Sequence, residues 1–243
     1  MNKQVVVIGL GRFGSSVAQE LYQMGHDVLG IDLDEENVQN MLGHVTYAVK
    51  ADATSEASLT ELGVNNFDVA IVAIGTDIQS SILATVLLKD LRIPYIVTRA
   101  INDLHANAME RIGADKVVYP EQEMGHRLAH IGFEPGVLDY MEVAPNYGIT
   151  KLRPPEQIVK QTLDESGLSR PRDKYGVAVL AIRRGREYFL IPAKDEEIRP
   201  GDILIVAGNA EQLGKIQLGD NHRARPEPEL KRGPRPPEAG RAA

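Results

Sequence analysis

The sequence predicts an α/β protein in which a doubly wound parallel sheet is followed by a small α+β domain. The first observation is a regular alternation of apolar runs and helical patterns through residue 119. The second is that these runs are rich in Val and Ile and nearly continuous, as in strands buried on both faces. The third is that the pattern changes beyond residue 133 to short strands with few helices. The first part therefore predicts a parallel sheet covered by helices, and the second predicts a smaller unit.

Six strands and five connecting helices account for the first part. Each helical stretch has helix-like spacing or a capping residue at its start, and Gly25, Gly63 and Gly113 stand where helix C-caps are expected. The predicted strands are residues 4–8, 27–31, 46–49, 68–74, 94–98 and 116–119. The predicted helices are residues 13–24, 35–42, 55–62, 77–91 and 103–112.

A further helix at 121–131 leads into a breaker-rich segment, residues 132–136, which predicts a hinge between domains. The predicted domains are thus 1–133 and 134–219. The predicted elements of the second domain are strands at 137–143, 149–152, 177–182, 188–191 and 202–206, and helices at 162–167 and 210–217. Residues 220–243 are rich in Pro, Arg and Glu and are predicted to be disordered.

Composition limits the classes of function. The net charge of −7 argues against nonspecific nucleic-acid binding, which depends on Lys and Arg neutralising phosphates. The absence of cysteine excludes disulfides, a thiol nucleophile and thiolate zinc sites. No apolar run approaches the roughly 18 to 20 residues that a membrane helix needs, and the first predicted strand begins too early for a signal peptide. A cytosolic location is therefore expected.

A glycine-rich turn carries the strongest functional signal. Residues 9–14 read Gly-Leu-Gly-Arg-Phe-Gly, a G-x-G-x-x-G run between a predicted strand and a predicted helix. Gly9 permits the tight turn, Gly11 lets a phosphate approach the backbone, and Gly14 lets the helix pack against the sheet. Asp32 follows at the end of the second strand, where a carboxylate accepts the ribose hydroxyls. Together they predict an adenine nucleotide, and Asp32 argues against the 2′-phosphate of NADP.

Further candidates follow the other strands of the predicted sheet. Arg12 stands at the helix start, where it either reaches phosphate oxygens, in its own site or a neighbour's, or is simply solvated. Asp52 and Ala53 follow the third strand, in a segment that also reads as a helix N-cap at Thr54 or Ser55. Three more candidates face the same crevice after the fourth and fifth strands: Ile74, Gly75 and Arg99.

Groups for catalysis are missing from the sequence. A dehydrogenase needs an acid–base residue and a substrate pocket, usually in a second domain, and the predicted second domain contains no histidine. Arg153, with Arg172, Lys174 and Tyr175, suits an anion better than hydride chemistry. His126 and His130 have the four-residue spacing of a zinc motif on a helix, but the Glu of H-E-x-x-H is absent between them. A surface or interface helix is therefore the interpretation for this pair.

The glycine run GLGRFG, together with the elements ADAT, AIG, GAD-x-V-x-x-P-E and KYG, resembles the RCK proteins. These are the cytosolic gating subunits of the Trk and Ktr potassium uptake systems, and the KtrA/TrkA type is the one that the chain resembles. The resemblance covers residues 3 to 217. It implies a Rossmann-like RCK_N domain that binds ATP, ADP or NAD(H), followed by an RCK_C domain. Dimers would assemble into an octameric ring beneath a membrane potassium channel.

The resemblance also implies roles for single residues. Gly9, Gly11 and Gly14 would hold phosphates, and Asp32 the ribose, while Asp52 and Ala53 would lie by the adenine. Phe13, in the glycine turn, is also expected among the nucleotide-binding residues. Arg12 would reach the terminal phosphate of ATP bound in the partner subunit. Glu121 matches an acid that contributes to a cation site (Mg²⁺, Ca²⁺ or Na⁺) near the γ-phosphates, although from the residues alone it is only an acidic residue at a helix start. Some relatives bind cyclic di-AMP near an R-x-x-Y-G element, but residues 168–176 carry extra residues, including a proline, and depart from that pattern.

These inferences favour a non-enzymatic subunit that gates a potassium channel in response to ATP/ADP or NAD/NADH. Two alternatives stay open at this stage. One is an NAD-dependent oxidoreductase, and the other is an RCK-type sensor that regulates a different cation antiporter or exit channel.

Overall fold

The computed structural model describes residues 2–133, 136–169 and 175–218. The chain forms two compact units, of which the first ends at Gly125 and the second begins at His126. This division lies within one helix, and the domain boundary predicted at residue 133 lies further along the same helix. The predicted tail, residues 220–243, lies outside the described residues.

The first unit is built on a parallel sheet of six strands, as predicted. Its strand order is 3-2-1-4-5-6, the doubly wound order in which the first strand lies between the second and the fourth. The strands are β1 (Gln4–Ile8), β2 (Asp27–Asp32), β3 (Tyr47–Lys50), β4 (Val69–Val72), β5 (Tyr95–Arg99) and β6 (Lys116–Val118). The connecting helices are α1 (Arg12–Gln23), α2 (Glu35–Met41), α3 (Glu56–Glu61), α4 (Ile78–Asp90) and α5 (Asp103–Ile112). The Rossmann-like fold expected from the glycine turn is therefore confirmed.

Burial on both faces of the sheet explains why the strands read as continuous apolar runs. Val6 and Ile8 of β1 pack in a core beneath α3 and α4, where Leu59 and Leu88 are fully buried. Residues of the opposite parity, such as Val5, pack in a second core against α1 and α2. Each face thus removes alternate residues of the same strand from water, and hydrophobic burial drives both layers onto the sheet.

Local capping sets the ends of the helices. The side chains of Asp34, Ser55, Asp77 and Asn102 each accept a hydrogen bond from a backbone N–H in the first turn of α2, α3, α4 and α5. Gly113 ends α5 in the left-handed conformation that glycine adopts without strain. In contrast, α1 begins at Gly11 with no side-chain cap. Its first N–H groups are therefore not satisfied by a capping side chain.

The second unit contains an antiparallel sheet of five strands in the order β10-β9-β11-β8-β7. Its elements are the end of α6 (Pro120–Phe133), β7 (Val137–Ala144), β8 (Tyr147–Leu152), β9 (Ala178–Arg184), β10 (Glu187–Leu190), β11 (Ile203–Asn209) and α7 (Ala210–Leu218). Short 3₁₀ turns also occur at Glu156–Ile158 and, in the first unit, at Val64–Asn66. The core is formed by Leu152, Ile182 and Leu204 with their neighbours. The predicted small α+β unit is confirmed.

The helix predicted at 162–167 is wrong. Thr162 forms a β-bridge with Glu197, and the N–H groups of Leu163 and Asp164 donate to the carbonyls of Glu196 and Lys194. The backbone of this segment is therefore paired with another strand-like segment and cannot continue a helix. Thr162 and Glu165 nevertheless exchange a reciprocal pair of hydrogen bonds like those of a capping box, as at the start of a helix.

The predicted hinge, residues 132–136, overlaps the end of α6. The helix continues through Gly132 to Phe133, beyond its predicted end at residue 131. Residues 134 and 135 lie outside the described residues, and Gly136 has a left-handed φ of 79° before β7 begins.

Candidate nucleotide-binding site

The candidate site lies at the carboxyl edge of the parallel sheet in the first unit. All six strands run in the same direction, so the loops that follow them meet at one edge. The loops after β1 and β4 leave neighbouring strands in opposite directions along the sheet, which opens a crevice between them. The residues predicted to contact the nucleotide end these strands, lie in the loops after them or begin α1: Gly9, Gly11, Arg12, Phe13, Gly14, Asp32, Asp52, Ala53, Ile74, Gly75 and Arg99.

The glycine turn is tightly packed on its inner side. Gly9 has a φ of 90°, its N–H donates to the carbonyl of Ile31 at 2.8 Å, and an added Cβ would lie 3.1 Å from the backbone nitrogen of Ile74. A Cβ on Gly14 would overlap the carbonyl oxygen of Gly9 and lie 2.9 Å from the Cβ of Ala73. Gly9 and Gly14 are therefore required by the fold itself, because α1 packs directly on the turn.

Gly11 differs from the other two glycines. It is the N-cap of α1, and among the described residues no heavy atom beyond its own chain neighbours lies within 4 Å of the position that its Cβ would occupy. The first turn of α1 contains no acidic side chain. The open space over Gly11 thus adjoins backbone N–H groups at the positive end of a twelve-residue helix. This is the geometry that favours a phosphate group.

Asp32 is held in place by three hydrogen bonds. One carboxylate oxygen accepts from the N–H of Leu10 at 2.6 Å and from the side-chain amide of Asn37 at 3.2 Å, and the other accepts from the N–H of Asp34 at 2.8 Å. A carboxylate has about four acceptor positions, so capacity remains for a ribose hydroxyl. The carboxylate thereby connects the glycine turn to the end of β2. Sequence reasoning found Asp32 but missed Asn37, which carries no motif signal.

Arg12 and Phe13 begin α1 with different environments. Arg12 is exposed at the helix N-terminus. Phe13 is partly buried and packs against the core on the α1 side of the sheet. Arg12 is therefore available to a ligand or to a second chain, whereas Phe13 contributes mainly to the packing that fixes the turn.

Asp52 and Ala53, which follow β3, differ in exposure and therefore in what they can offer a ligand. Asp52 is exposed and accepts hydrogen bonds from the hydroxyl of Thr54 at 2.7 Å and its N–H at 2.8 Å, which lower the pKa of the carboxyl. Ala53 is only 6% exposed and belongs to the core, so only its backbone can meet a ligand. The helix cap is supplied by Ser55, which accepts from the N–H of Ser58.

Arg99 and Glu121 form an ion pair that single-residue motifs did not reveal. The Nη2 group of Arg99 donates to a carboxylate oxygen of Glu121, which lies in the first turn of α6. The guanidinium lies over Gly75, where a Cβ would overlap it. The Arg99 side chain is 19% exposed, and its buried Nε has no hydrogen-bond partner within the part of the chain that the structure describes. A buried donor without a partner is costly, and an acceptor oxygen of a ligand would satisfy it.

Two family models match the chain. The TrkA-N domain matches residues 5–120, and the TrkA-C domain matches residues 151–218. The chain is 40% identical over 216 residues to the Ktr system potassium uptake protein A of Bacillus subtilis (strain 168), covering 89% of this chain and 96% of that protein. The chain belongs to the Ktr/Trk type of RCK proteins. The family predicted from the sequence is thereby confirmed.

Other members of the Ktr family are also similar over nearly their whole length. The Ktr system potassium uptake protein C of Bacillus subtilis (strain 168) is 39% identical, covering 89% of this chain and 97% of that protein. The Ktr system potassium uptake protein A of Vibrio alginolyticus is 33% identical, covering 87% of this chain and 95% of that protein. Among solved structures, the GsuK RCK domain has a TM-score of 0.49 at 24% identity, over 88% of this chain and 45% of that one.

The second unit of this RCK chain holds part of the basic group that the sequence singled out. Arg153 lines a cavity of about 760 Å³ together with Lys160 and Arg183. Tyr175 is 7% exposed and belongs to the core, so it does not face a ligand. Arg172 and Lys174, with most of the segment compared with the cyclic di-AMP motif, lie outside the described residues.

Two further observations concern metal-binding side chains and membrane-spanning helices. Within residues 2–133, 136–169 and 175–218, no three His, Cys, Asp or Glu side chains converge to hold a metal. A cation at Glu121 thus requires oxygen atoms from a ligand, and this role stays a prediction. None of the described helices combines the length and the apolar character needed to cross a bilayer.

Proposed function

We propose that this RCK chain is a nucleotide-binding regulatory subunit that gates a membrane potassium channel or transporter. The observation that carries the proposal is the open space over Gly11 beside the uncapped N-terminus of α1, with Asp32 fixed across the turn. Family membership indicates that the regulated process is potassium uptake, because the relatives of similar length are potassium uptake proteins. A phosphate on α1 and a ribose on Asp32 describe an adenine nucleotide.

ATP and ADP, or alternatively NAD and NADH, are the nucleotides that we propose. Asp32 carries a negative charge beside the ribose position, which disfavours the 2′-phosphate of NADP. The Nε of Arg99, which has no hydrogen-bond partner among the described residues, provides one donor to an acceptor oxygen of the ligand. Glu121, which pairs with Arg99 in this structure, would exchange that partner for Mg²⁺, Ca²⁺ or Na⁺ when phosphate oxygens complete the coordination.

The mechanism that we propose is a shift between two states of a ring of subunits. Arg12 is exposed at the start of α1, so it can reach the terminal phosphate of ATP in a neighbouring subunit. ATP would stabilise the ring state that opens the channel, and ADP, which lacks that phosphate, would stabilise another. A shift from mostly closed to mostly open requires about 5.5 kcal/mol of differential binding, which several identical sites supply together.

Gating, rather than catalysis, also fits the groups at the crevice. The predicted site residues that could transfer a proton are Asp32, Asp52 and Glu121, and each of them is hydrogen-bonded to another protein group. The proposed location is the inner face of the cell membrane, where the chain would be attached through its channel partner as a dimer or octameric ring. Regulation of a different antiporter or exit channel is the alternative that the same site would serve.

Calorimetric titration with ATP, ADP and NADH tests the proposal, before and after Arg12→Ala. We expect ATP and ADP to bind with one site per chain, and Arg12→Ala to weaken ATP about tenfold, the effect of 1.4 kcal/mol, with little change for ADP. Arg111→Ala, at an exposed arginine at the other end of the first unit, is the matched control. Light scattering of the same samples measures ring assembly.

Three outcomes would contradict the proposal. If NADH binds much more tightly than ATP, and if Arg12→Ala changes neither ATP affinity nor ring assembly, Arg12 does not distinguish ATP from ADP. Oxidation of NADH by an oxo-substrate, or reduction of NAD⁺ by a hydroxy-substrate, would favour the oxidoreductase. Potassium flux through a co-reconstituted membrane subunit that does not respond to nucleotide would favour a different partner.

A further inference from the structure

Two histidines of α6 face each other at the start of the second unit. His126 and His130 lie four residues apart, so their side chains share one face of the helix. Their Nε2 atoms are 3.0 Å apart, and their rings are stacked with centroids 4.9 Å apart. Two imidazole nitrogens at this separation share a single proton between them, since only one can donate to the other.

Residues of β7 hold this histidine pair in place. Glu142 lies 3.1 Å from the Nδ1 atom of His126, and Tyr140 stacks on His130 with ring centroids 4.0 Å apart. Tyr140 is itself fixed, because it is 4% exposed and its ring lies where a Cβ on Gly148 would be. The pair is therefore supported on two sides by the same strand.

The carboxylate of Glu142 sets the direction of the His126 lone pair. When the Nδ1–H of His126 donates to Glu142, the Nε2 atom has no proton and its lone pair points toward His130. A carboxylate that orients an imidazole in this way is the usual support of a metal-binding histidine. The Glu that is missing from the H-E-x-x-H pattern is the general base of a metalloprotease and does not hold the metal ion. Here Glu142 of β7 supplies the carboxylate that supports the histidine.

We propose that the Nε2 atoms of His126 and His130 bind a divalent transition-metal ion such as Zn²⁺ or Cu²⁺. Zn–N bonds of about 2.0–2.1 Å at a tetrahedral angle place two nitrogens about 3.4 Å apart, so a small opening of the 3.0 Å pair admits the ion. The proton between the rings moves through solvent to the Nδ1 atom of His130 as the metal enters, so that both rings bind as neutral imidazoles. Within the described residues no third His, Cys, Asp or Glu side chain converges on the pair, and in this proposal water completes the coordination.

This site differs in chemistry from the cation site at Glu121. Imidazole nitrogen selects Zn²⁺, Cu²⁺ or Ni²⁺, whereas Mg²⁺ and Ca²⁺ require oxygen ligands. It needs no nucleotide, since every group that forms it belongs to the second unit. A bound ion would connect consecutive turns of α6 and, through Glu142 and Tyr140, stabilise the end of this helix against β7.

Calorimetric titration of the tag-free full chain with Zn²⁺, in a non-chelating buffer without nucleotide, tests the proposal. We expect one ion per chain in the wild type and a loss of about tenfold or more in affinity for His126→Gln and for His130→Gln. His44→Gln is the matched control, at an exposed histidine of the first unit. Glu142→Gln should weaken binding about tenfold while leaving both ligands in place, as is usual for a residue that orients a metal-binding histidine.

Electron paramagnetic resonance with Cu²⁺ provides a readout that stability alone cannot mimic. Hyperfine coupling to two imidazole nitrogens is expected in the wild type, and to fewer in each histidine variant. Amide exchange in the last turns of α6 should slow on addition of Zn²⁺ in the wild type only. Absence of Zn²⁺ binding by the wild type, or equal Zn²⁺ affinity of the wild type and the H126Q/H130Q double variant, would overturn the proposal.

Discussion

The carboxylate of Asp32 accepts a hydrogen bond from the backbone N–H of Leu10 at 2.6 Å. This contact joins the end of β2 to the middle of the glycine turn. The side chain of Leu10 strengthens the connection, because it packs on Gly30 of β2, where a Cβ would lie 2.9 Å from it. The residue expected to bind the ribose thus also shapes the turn expected to bind the phosphates.

Asp32→Ala should therefore impair binding more than the loss of one ribose contact would. The substitution removes a charged acceptor from Leu10, Asp34 and Asn37 as well as from the ligand. One hydrogen bond to a charged group contributes about 1.5–3 kcal/mol, or about tenfold to a hundredfold in affinity. Because the support of the turn is lost as well, ADP affinity should fall by about a hundredfold or more by calorimetry. Asp34→Ala is the control, since it removes only the cap of α2. An equal loss of ADP affinity in both variants would contradict a direct role of Asp32.

Gly11→Ala and Gly14→Ala should separate binding from folding. Gly11 has open space where a Cβ would lie, so Gly11→Ala should change the free energy of unfolding by less than about 1 kcal/mol. Its methyl group would occupy the space for the phosphate, and ATP affinity should fall by about tenfold or more. Gly14→Ala would force α1 away from Gly9 and should cost about 3 kcal/mol or more of stability. Urea unfolding and calorimetry on both variants measure the two effects, and a reversed pattern would contradict this assignment.

The sequence predicted the sheet and the glycine turn because both depend on local patterns. Apolar runs of the right length marked the strands, and the spacing from Gly9 to Asp32 marked the crevice. The pair of Arg99 and Glu121 could not be predicted in this way, because 22 residues separate them and only the adjacency of β5 and β6 brings them together. The segment 162–167 failed for the same reason, since its pairing with residues 194–197 overrides a local helical signal.

Glu121→Gln should distinguish an ion pair from a cation site. Without nucleotide, the substitution replaces the carboxylate that pairs with Arg99 by a neutral amide. The free energy of unfolding should change little, because the Glu121 side chain is 64% exposed. If Glu121 binds a cation at the phosphates, Mg²⁺ will strengthen ATP binding in the wild type and will do so much less in the variant. Glu123→Gln, in the same first turn of α6, is the matched control. An equal effect of Mg²⁺ in all three proteins would exclude the cation role.

Two carboxylates near the crevice should titrate independently. Hydrogen bonds from Thr54 lower the pKa of Asp52, and hydrogen bonds from Ser80 lower the pKa of Asp77. Because these pKa values lie below those of an unfolded chain, the contacts are intact at neutral pH and are lost as the pH falls through the lowered values. Thr54→Val should raise the pKa of Asp52 alone, and Ser80→Ala that of Asp77 alone, in an NMR titration. A shift of both carboxyls in either variant would show that the loops are coupled.

Asp202→Ala should destabilise the second unit strongly. Asp202 is 1% exposed and accepts two hydrogen bonds at 2.9 Å from Arg184, whose pKa it raises. Removal of the carboxylate takes away the main partner of Arg184, whose side chain is only 21% exposed. Breaking such a pair costs about 3–5 kcal/mol, and the remaining contact of Arg184 with Glu196 and partial solvation place the expected loss near the lower end.

Glu211→Gln is the matched control for that variant, since it removes an exposed i,i+4 pair with Lys215 on α7. Exposed helix pairs contribute about 0.3–0.5 kcal/mol, so this change should be nearly silent in urea unfolding monitored in the second unit. Nucleotide affinity should be unchanged in both folded variants, because every residue of the candidate site belongs to the first unit. Equal losses of stability in the two variants would mean that the buried pair of Asp202 and Arg184 stabilises the fold no more than the exposed pair of Glu211 and Lys215 does. A loss of stability confined to Asp202→Ala would identify this buried pair, which packs against the ring of Phe189 through Arg184, as a main support of the antiparallel sheet.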